Sequence, residues 1–532
     1  MHEKQEGLLR RRAINIFPSL AAHHPTYPWF VLLTVMLSTF MVVLDGTIVN
    51  VAIPTIMAAF GQTINQVVWV STAYLIALSV LLAISAWLSE HFGSKKVYLV
   101  GLIIFLFGSY LCAIAWNLNA LIFFRVIQGI GGGILTPVGM ILFTNEFKKE
   151  NRTVALGFYS ISIAAAISLG PSVGGYLIQA INWKWIFLIN LPFGALTLLM
   201  GWVILKRTYR KIIHFFDLWG LVTLIIFLVS LFVGISSGNA PWNAEGWSSS
   251  FTIIWFLISL VNLLFFLQIE LTIVNPIIDL RIFKNRNFLM GNIVLFVFSF
   301  TLFGSSFLLP LYMQNGLGYS QLQTGIVLLP IGLAQGFFGG VSGWLSRKVS
   351  PMLLVLVSLI LLALTYHVNA RFTLYTSEAT MVHLFIVRGI AMGMLFAPLV
   401  ALTLSTIPEA KLSQATGLFT VQRQIGAALG VALFETTFNF REVYQASAIG
   451  AVVDNTSPYF ERIQDLLEAS GIQQYGKNIF EAAVQAQNIL MATVQKQIFI
   501  QAIDDSLLIA GLVTFFSIIP LFFLSKKGFQ PL

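Results

Sequence analysis

The chain has 532 residues, of which 57% are hydrophobic and only 10% are charged. Soluble domains carry about a quarter charged residues, so water cannot be the solvent for most of this surface. A single cysteine, Cys112, excludes an internal disulfide and a cysteine-based zinc site. The formal net charge of +9 leaves nucleic-acid binding open until the positions of the charges are considered.

Apolar segments long enough to cross a membrane, about 20 residues each, recur fourteen times along the chain. In chain order they lie near 29–50, 66–88, 96–116, 118–142, 153–179, 185–205, 215–236, 251–271, 288–313, 321–346, 351–369, 381–405, 414–436 and 501–525. They predict an all-α polytopic membrane protein of about 14 transmembrane helices. The first 28 residues are polar and basic and show no cleavable signal, so we expect the first segment to remain as a membrane helix.

Lysine and arginine are divided unequally between the two sides of this predicted bundle. If the N-terminus is cytoplasmic, almost all basic loops fall on the cytoplasmic side, and only Lys184 and Arg371 lie in the short outer loops. The positive-inside rule therefore predicts cytoplasmic N- and C-termini. The same asymmetry accounts for the net charge without any nucleic-acid partner.

One predicted outer segment, residues 437–500, is long, polar and mixed in charge. Apolar residues at helical spacing predict a short amphipathic helix there, namely Phe460, Ile463, Leu466 and Leu467. A second helix is expected to run from about 478 into the last span. The segment admits three interpretations, which are a solvated cap, a lid over the outer mouth and a docking surface for another protein.

A weak internal repeat divides the chain into two halves. AWLSEHFGS from Ala86 parallels GWLSRKVSP from Gly343, 257 positions later, and the segment from Gly157 parallels that from Gly417, 260 positions later. Two parallel six-helix halves can rock about a site near the membrane midplane, which is the basis of alternating access. The predicted organisation is a cytoplasmic tail 1–28, a six-helix bundle 29–205, two inserted helices in 206–286, a six-helix bundle 287–525 that includes the loop 437–500, and a tail 526–532.

Two charged residues fall inside predicted spans of the first half. Asp45 lies in LDGTIVNVAIPTI of the first span, and Arg125 opens RVIQGIGGG in the fourth. A carboxylate near the bilayer centre costs about 2.5–3.5 kcal/mol on insertion scales, so it persists only where it pairs, meets water or serves a function. Arg125 is a candidate partner of Asp45, and a purely structural hydrogen bond in helix packing is the alternative interpretation for Asp45.

Two further segments combine glycine with charge or proline. The turn after the second span, AWLSEHFGSKK, contains Glu90, His91, Gly93, Lys95 and Lys96, and its glycine is suited to a tight turn. The fifth span contains GPSVGG, where a proline is expected to kink the helix and glycines to permit close helix packing. The residues of this second motif are Gly170, Pro171, Gly174 and Gly175.

Other polar residues inside the spans should face the bundle interior or a cavity. The candidates are Asn50, Gln128, Arg388, Gln422, Arg423 and Glu435. For Arg423 a structural role and a transport role both remain open. No histidine has a partner at HExxH spacing, and no GxxxxGK[ST] segment is present, so we expect neither a metal site nor ATP as the driver.

Taken together, these segments resemble the major facilitator superfamily, and specifically its fourteen-helix drug:proton antiporters of the EmrB/QacA type. The first-span segment is similar to a family motif whose acid is thought to take part in proton coupling, here Asp45. The turn at Ala86 resembles GxLADRxGRRx, although Ala86, Glu90 and His91 replace its first glycine, its acid and its first basic residue. RVIQGIGGG resembles RxxQGxG, GPSVGG resembles the antiporter signature, and WKWIFLINLPFG is similar to WRWIFLINxPxG.

The resemblance implies a major facilitator fold and proton-coupled export of hydrophobic or amphiphilic drugs across a bacterial inner membrane. Protons would be the coupling ion, no cofactor is expected, and the chain would not be an enzyme. The charges of the turn at Ala86 would latch the two halves. EmrB-like members work with a periplasmic adaptor protein, whereas others act alone. The alternatives are a narrower exporter of a metabolite, siderophore or lipid, and a membrane scaffold that does not transport.

Overall fold

A computed structural model describes residues 24–62, 64–67, 69–206, 217–238, 240, 242–273, 276, 278–346, 348–408, 411–450, 462–469 and 479–524. Each of the fourteen predicted spans corresponds to a helix. The helices are α1 Tyr27–Phe60, α2 Trp69–Phe92, α3 Ser94–Ala113, α4 Leu118–Glu146, α5 Lys149–Ala180, α6 Asn190–Ile204, α7 Leu218–Gly238, α8 Ser250–Thr272, α9 Arg286–Leu311, α10 Gln321–Leu345, α11 Pro351–Asn369, α12 Glu378–Leu404, α13 Leu412–Gly450 and α14 Ile479–Phe516.

Thirteen helices in the described residues are long and apolar enough to cross a membrane. The remaining predicted span is α2, whose described apolar run Trp69–Leu82 is shorter. The all-α architecture of about 14 spans is therefore confirmed. At several helix starts a polar side chain caps a free backbone N–H group. Asn117 accepts a hydrogen bond from the N–H of Ala120, and Ser320 forms a capping box with Gln323 at the start of α10.

The two halves pack their helices in the same way. In the first half α1 contacts α4, α5 and α6, α2 contacts α4, and α3 contacts α4 and α6. In the second half α9 contacts α12, α13 and α14, α10 contacts α12, and α11 contacts α12 and α14. Each contact recurs eight helices later, so the structure has the internal repeat that the sequence predicts. Helices α7 and α8 pack on each other and lie outside this repeat.

The halves meet through α5 against α10 and through α2 against α13, which are equivalent pairs under the repeat. Helix α7 of the insertion also contacts α2 and α13. The ends of the helices near Lys95, Lys206 and Lys411 form what we call the basic face, where Lys206 pairs with Glu146 at 2.8 Å. The opposite end of the bundle is called the far face.

Two helices extend well beyond their predicted spans. Helix α1 continues past residue 50 to Phe60, and α13 continues past 436 to Gly450. The helix continues because the segment after 436 contains no proline or glycine before Gly450 to end it. The prediction ended the helix too early because this segment is polar and resembles a loop. The expected second helix in this region begins at Ile479, and residues 462–469 are helical as predicted. Phe460 lies outside the described residues.

Candidate functional site

The Asp45 carboxylate lies at the centre of a buried polar cluster in the first half. Its side chain is 0% exposed, so it faces neither lipid nor bulk water. Arg125 of α4 donates from Nη1 to Oδ2 at 2.5 Å. Gln128 of the same helix and Asn190 of α6 donate to Oδ1 at 2.8 and 2.9 Å. The sequence-predicted residues Asp45, Arg125 and Gln128 therefore come together in one cluster.

A second layer of contacts holds the cluster rigid. Ser109 of α3 accepts from Gln128 and Asn190 at 3.0 and 2.9 Å and donates to the carbonyl of Phe187. Arg125 donates from Nε to the carbonyl of Val70 at 3.1 Å, and its guanidinium lies 4.0 Å from the centroid of the Tyr74 ring. Five helices of the first half (α1, α2, α3, α4 and α6) thus meet at this carboxylate.

The chemistry of this pair follows from its burial. Removing one partner of a buried ion pair costs about 3–5 kcal/mol, because the remaining charge is left uncompensated in a low-dielectric site. A proton added to Asp45 removes its negative charge and leaves the guanidinium of Arg125 as the uncompensated buried charge. Protonation and local structure are therefore coupled at this point of the fold.

The GPSVGG motif of α5 packs directly on α1 beside Asp45. A Cβ at Gly170 would meet Thr47 Oγ1 and lie 2.9 Å from Thr47 Cβ, and one at Gly174 would lie 2.7 Å from Ile48 Cγ1. These positions leave no room for a side chain. Gly175 is buried, and the helix continues through Pro171 to Ala180. The motif therefore fixes α5 against the segment of α1 that immediately follows Asp45.

Helix α5 carries this contact to the other half. Its Ser172 faces Gly325 of α10, where a Cβ would lie 2.9 Å from the Cβ of Ser172. Nearer the basic face, a Cβ at Gly336 of α10 would lie 3.2 Å from Ile161. Contiguous packing thus runs from Asp45 through α1 and α5 to the boundary between the halves.

The turn between α2 and α3 has the predicted backbone. Gly93 has φ 88°, a conformation that glycine adopts without steric cost. Lys95 is buried and donates to the carbonyl of Trp202 at 2.8 Å, a bond that joins α3 to α6 within the first half. His91 stacks on Trp87 at 5.0 Å between ring centroids, Glu90 is half-buried and Lys96 is exposed. Latching between the halves stays a prediction for this turn.

The polar candidates of the second half do not form one cluster with Asp45. Arg388 of α12 is buried among residues of α9 and α11. Gln422 and Glu435 are half-buried on α13. Arg423 is also half-buried on α13. The side chain of Asn50 lies outside the described residues.

Asn190, Ser109 and Tyr74 are members of the cluster that sequence reasoning did not select. Asn190 lies within WKWIFLINLPFG, and its signal is a lone amide in an apolar span. Ser109 gives no comparable signal, since serine is common in membrane helices. Within the described part of the chain, no group of three or more His, Cys, Asp or Glu residues could hold a metal ion.

The profile of the Major Facilitator Superfamily matches residues 35–431, and the multidrug export protein EmrB of Haemophilus influenzae is 35% identical over 77% of this chain and 80% of its own length. The chain belongs to the major facilitator superfamily, in the EmrB/QacA branch. EmrB of Escherichia coli K12 is 32% identical over 91% of this chain and 95% of its own length. Family members of this kind are transporters and not enzymes. The human organic anion transporter MFSD10 has the same fold at a TM-score of 0.56 and 14% identity, covering 92% of this chain and 99% of MFSD10.

Proposed function

We propose that this protein exports hydrophobic or amphiphilic toxic compounds, in exchange for protons, across the inner membrane of a bacterium by alternating access. The proposal rests on the buried Asp45 carboxylate, which accepts hydrogen bonds from Arg125, Gln128 and Asn190. The EmrB relatives, which are multidrug export proteins, support the substrate class. No cofactor is needed, because the proton gradient supplies the energy.

In this mechanism Asp45 carries the proton. When Asp45 is ionised, its pair with Arg125 keeps α1, α4 and α6 together. When it is protonated, the pair is broken and α1 is free to shift against α4 and α6. The close contact of α1 with Gly170 and Gly174 passes that shift to α5, which packs on α10 of the other half. Proton uptake thereby biases the rocking of the two halves.

The membrane potential can supply the free energy that export against a concentration gradient requires. One proton moving through 100 mV supplies about 2.3 kcal/mol, which corresponds to a substrate gradient of roughly fifty-fold before any pH difference is added. For an uncharged substrate exchanged for one proton, the membrane potential alone therefore supports a gradient of this size.

The direct test is uptake of a hydrophobic dye into proteoliposomes under an imposed pH gradient. We expect Asp45→Asn to insert normally and to lose gradient-driven uptake. Asp505→Asn is the matched control, because Asp505 also pairs with an arginine, Arg441 at 2.7 Å, but is 30% exposed at its side chain. Full gradient-driven uptake by Asp45→Asn would remove the proposed coupling role. Transport limited to one chemical class in a substrate panel would favour the narrower exporter.

Two finer features belong to the same proposal. The basic face is cytoplasmic, as the positive-inside rule predicts, which places both termini in the cytoplasm.

On the far face, α13 and α14 extend beyond the length of about 20 residues that a membrane requires. Phe440 and Val443 on this extension are 70% and 71% exposed, which supports a contact with a periplasmic adaptor. Site-specific photocrosslinking from position 443 in native membranes tests this contact.

A further inference from the structure

The second half contains a polar cluster at the positions that are equivalent to the Asp45 cluster. The register is fixed by packing, because Gly129 of α4 approaches Tyr74 of α2 as Gly389 of α12 approaches Ile331 of α10. These equivalents lie 260 and 257 positions apart, as in the sequence repeat. The same offsets relate the cluster members pairwise: Asp45 to Ser305, Gln128 to Arg388, and Ser109 to Tyr366.

The contacts are equivalent but the charges are not. In the first half Gln128 bonds to Asp45 and Ser109, and in the second half Arg388 donates from Nη2 to Ser305 and, at 3.4 Å, to Tyr366. Ser305 and Tyr366 are themselves 3.2 Å apart. The second half therefore has a cation where the first has an amide, and a hydroxyl where the first has a carboxylate.

Arg388 is a buried cation without a counter-charge. Its side chain is 1% exposed, and among the described residues it forms no ion pair. Its Nε and Nη1 atoms have no hydrogen-bond acceptor in the described part of the chain. The guanidinium lies 4.7 Å from the centroid of the Tyr366 ring, which offsets only part of the cost of burial.

A guanidinium keeps its charge in proteins and offers five N–H donors. An uncompensated charge inside a membrane protein is costly, so such residues pair or mark a ligand pathway. Arg125 meets this requirement through Asp45, whereas Arg388 has only two hydroxyl oxygens. Ser305 donates its own proton to the carbonyl of Thr301 at 2.6 Å, so the free donors of this cluster among the described residues are Nε and Nη1 of Arg388. An anion is the ligand that would complete this set of donors.

We propose that Arg388, with Ser305 and Tyr366, binds a monoanion inside the second half. The monoanion is either a free inorganic ion such as chloride or the carboxylate of an amphiphilic acid. The carboxylate case rests on the proposed export function, and the free-ion case does not. Binding itself requires neither a proton gradient nor transport, so it is measured on the purified full-length protein.

The experiment records the thermal unfolding midpoint in detergent against probe concentration, because a ligand that binds the folded state raises that midpoint. The probes are chloride, octanoate below its micelle concentration, and octyltrimethylammonium as a cation of equal chain length, all at matched ionic strength with sulfate as the background anion. In the wild-type protein we expect chloride or octanoate to raise the midpoint and the cation to leave it unchanged. A rise with chloride alone identifies a free ion, and a rise with octanoate identifies an acid group.

Two variants at Ser305 place the effect at this site. Ser305→Asp adds the carboxylate that the first half has, so it should neutralise Arg388 internally and weaken anion binding at least about tenfold. Ser305→Asn is the neutral variant of similar size, and it should weaken anion binding less than Ser305→Asp because it adds no negative charge. If Ser305→Asp does not fold, Arg388→Gln replaces it, since it installs the side chain that the first half has at Gln128.

The proposal is overturned if neither anion raises the wild-type midpoint. It is equally overturned if the folded Ser305→Asp or Arg388→Gln protein binds the anion as tightly as wild type, because binding would then lie elsewhere. If octanoate binds, its uptake into proteoliposomes is compared with that of a cationic dye, and Ser305→Asp should lower the octanoate-to-dye ratio. Loss of both activities in wild type would count against the export function, while the binding result would stand.

Discussion

The two halves of this transporter use one architecture to hold two different charges. In the first half α1 supplies an acid, and Arg125 and Gln128 of α4 surround it. In the second half α9 supplies the hydroxyl of Ser305. The position equivalent to Arg125 is Phe385, and Arg388 of α12 lies about one helical turn after it. The repeat therefore conserves geometry but not charge. The carboxylate of the compensated pair can bind a proton, and the uncompensated guanidinium of Arg388 can bind an anion.

The largest expected effect comes from breaking the compensated pair. Arg125→Gln leaves Asp45 buried without its cation, which should cost about 3–5 kcal/mol and greatly lower the thermal unfolding midpoint. The double variant Asp45→Asn with Arg125→Gln should recover part of that loss, because no buried charge is left unpaired. A double variant that is as unstable as the sum of the single variants would argue against the pair.

The next effect concerns the packing that joins Asp45 to the other half. Gly170→Leu places a side chain against Thr47, so we expect normal synthesis but strongly reduced dye uptake in proteoliposomes. Overpacking of this kind costs about 1–3 kcal/mol. Gly340→Leu is the control, because nothing lies within 4 Å of a Cβ at Gly340. Equal losses in the two variants would separate the motif from the proposed movement.

A smaller effect is expected from the amide that sequence reasoning missed. Asn190→Ala removes one of the donors to Asp45 and leaves the Arg125 pair in place. Gln128 still donates to the same carboxylate oxygen, so the cost should be that of one lost hydrogen bond to a charged group, about 1–3 kcal/mol. It is measured as a lowered unfolding midpoint, with Asn262→Ala on α8 as the control, since the side chain of Asn262 donates to the carbonyl of Ile258 in its own helix. A midpoint equal to wild type would exclude Asn190 from the energetics of the cluster.

The smallest change in stability is expected in the second half. Arg388→Gln removes a buried cation that has no carboxylate partner, so the free energy of unfolding, in sulfate buffer without chloride or octanoate, should stay within about 1 kcal/mol of wild type or rise. Comparison with Arg125→Gln under the same conditions sharpens the contrast between the halves. A loss as large as that of Arg125→Gln would mean that Arg388 has a compensating partner of equal strength.

Hydropathy was sufficient to predict the number and order of the spans, because each span must be apolar. The internal repeat and the family resemblance predicted the two halves and the major facilitator fold. Asp45 and Arg125 could be selected for the cost of burying their charges. Their contact could not be predicted, since 80 residues separate them and only packing brings α1 to α4. Asn190 and Ser109 escaped notice because uncharged polar residues are tolerated in spans. The continuation of α13 was missed because its polar sequence resembles a loop.

The central claim is that Asp45 carries the exchanged proton. Its most direct test is the number of protons released into weakly buffered solution when a saturating hydrophobic drug binds the purified protein in detergent. The measurement starts at a pH at which Asp45 is protonated in the drug-free protein, and we predict release by the wild type and by Asp505→Asn, and none by Asp45→Asn. Equal proton release by Asp45→Asn and wild type would contradict the account.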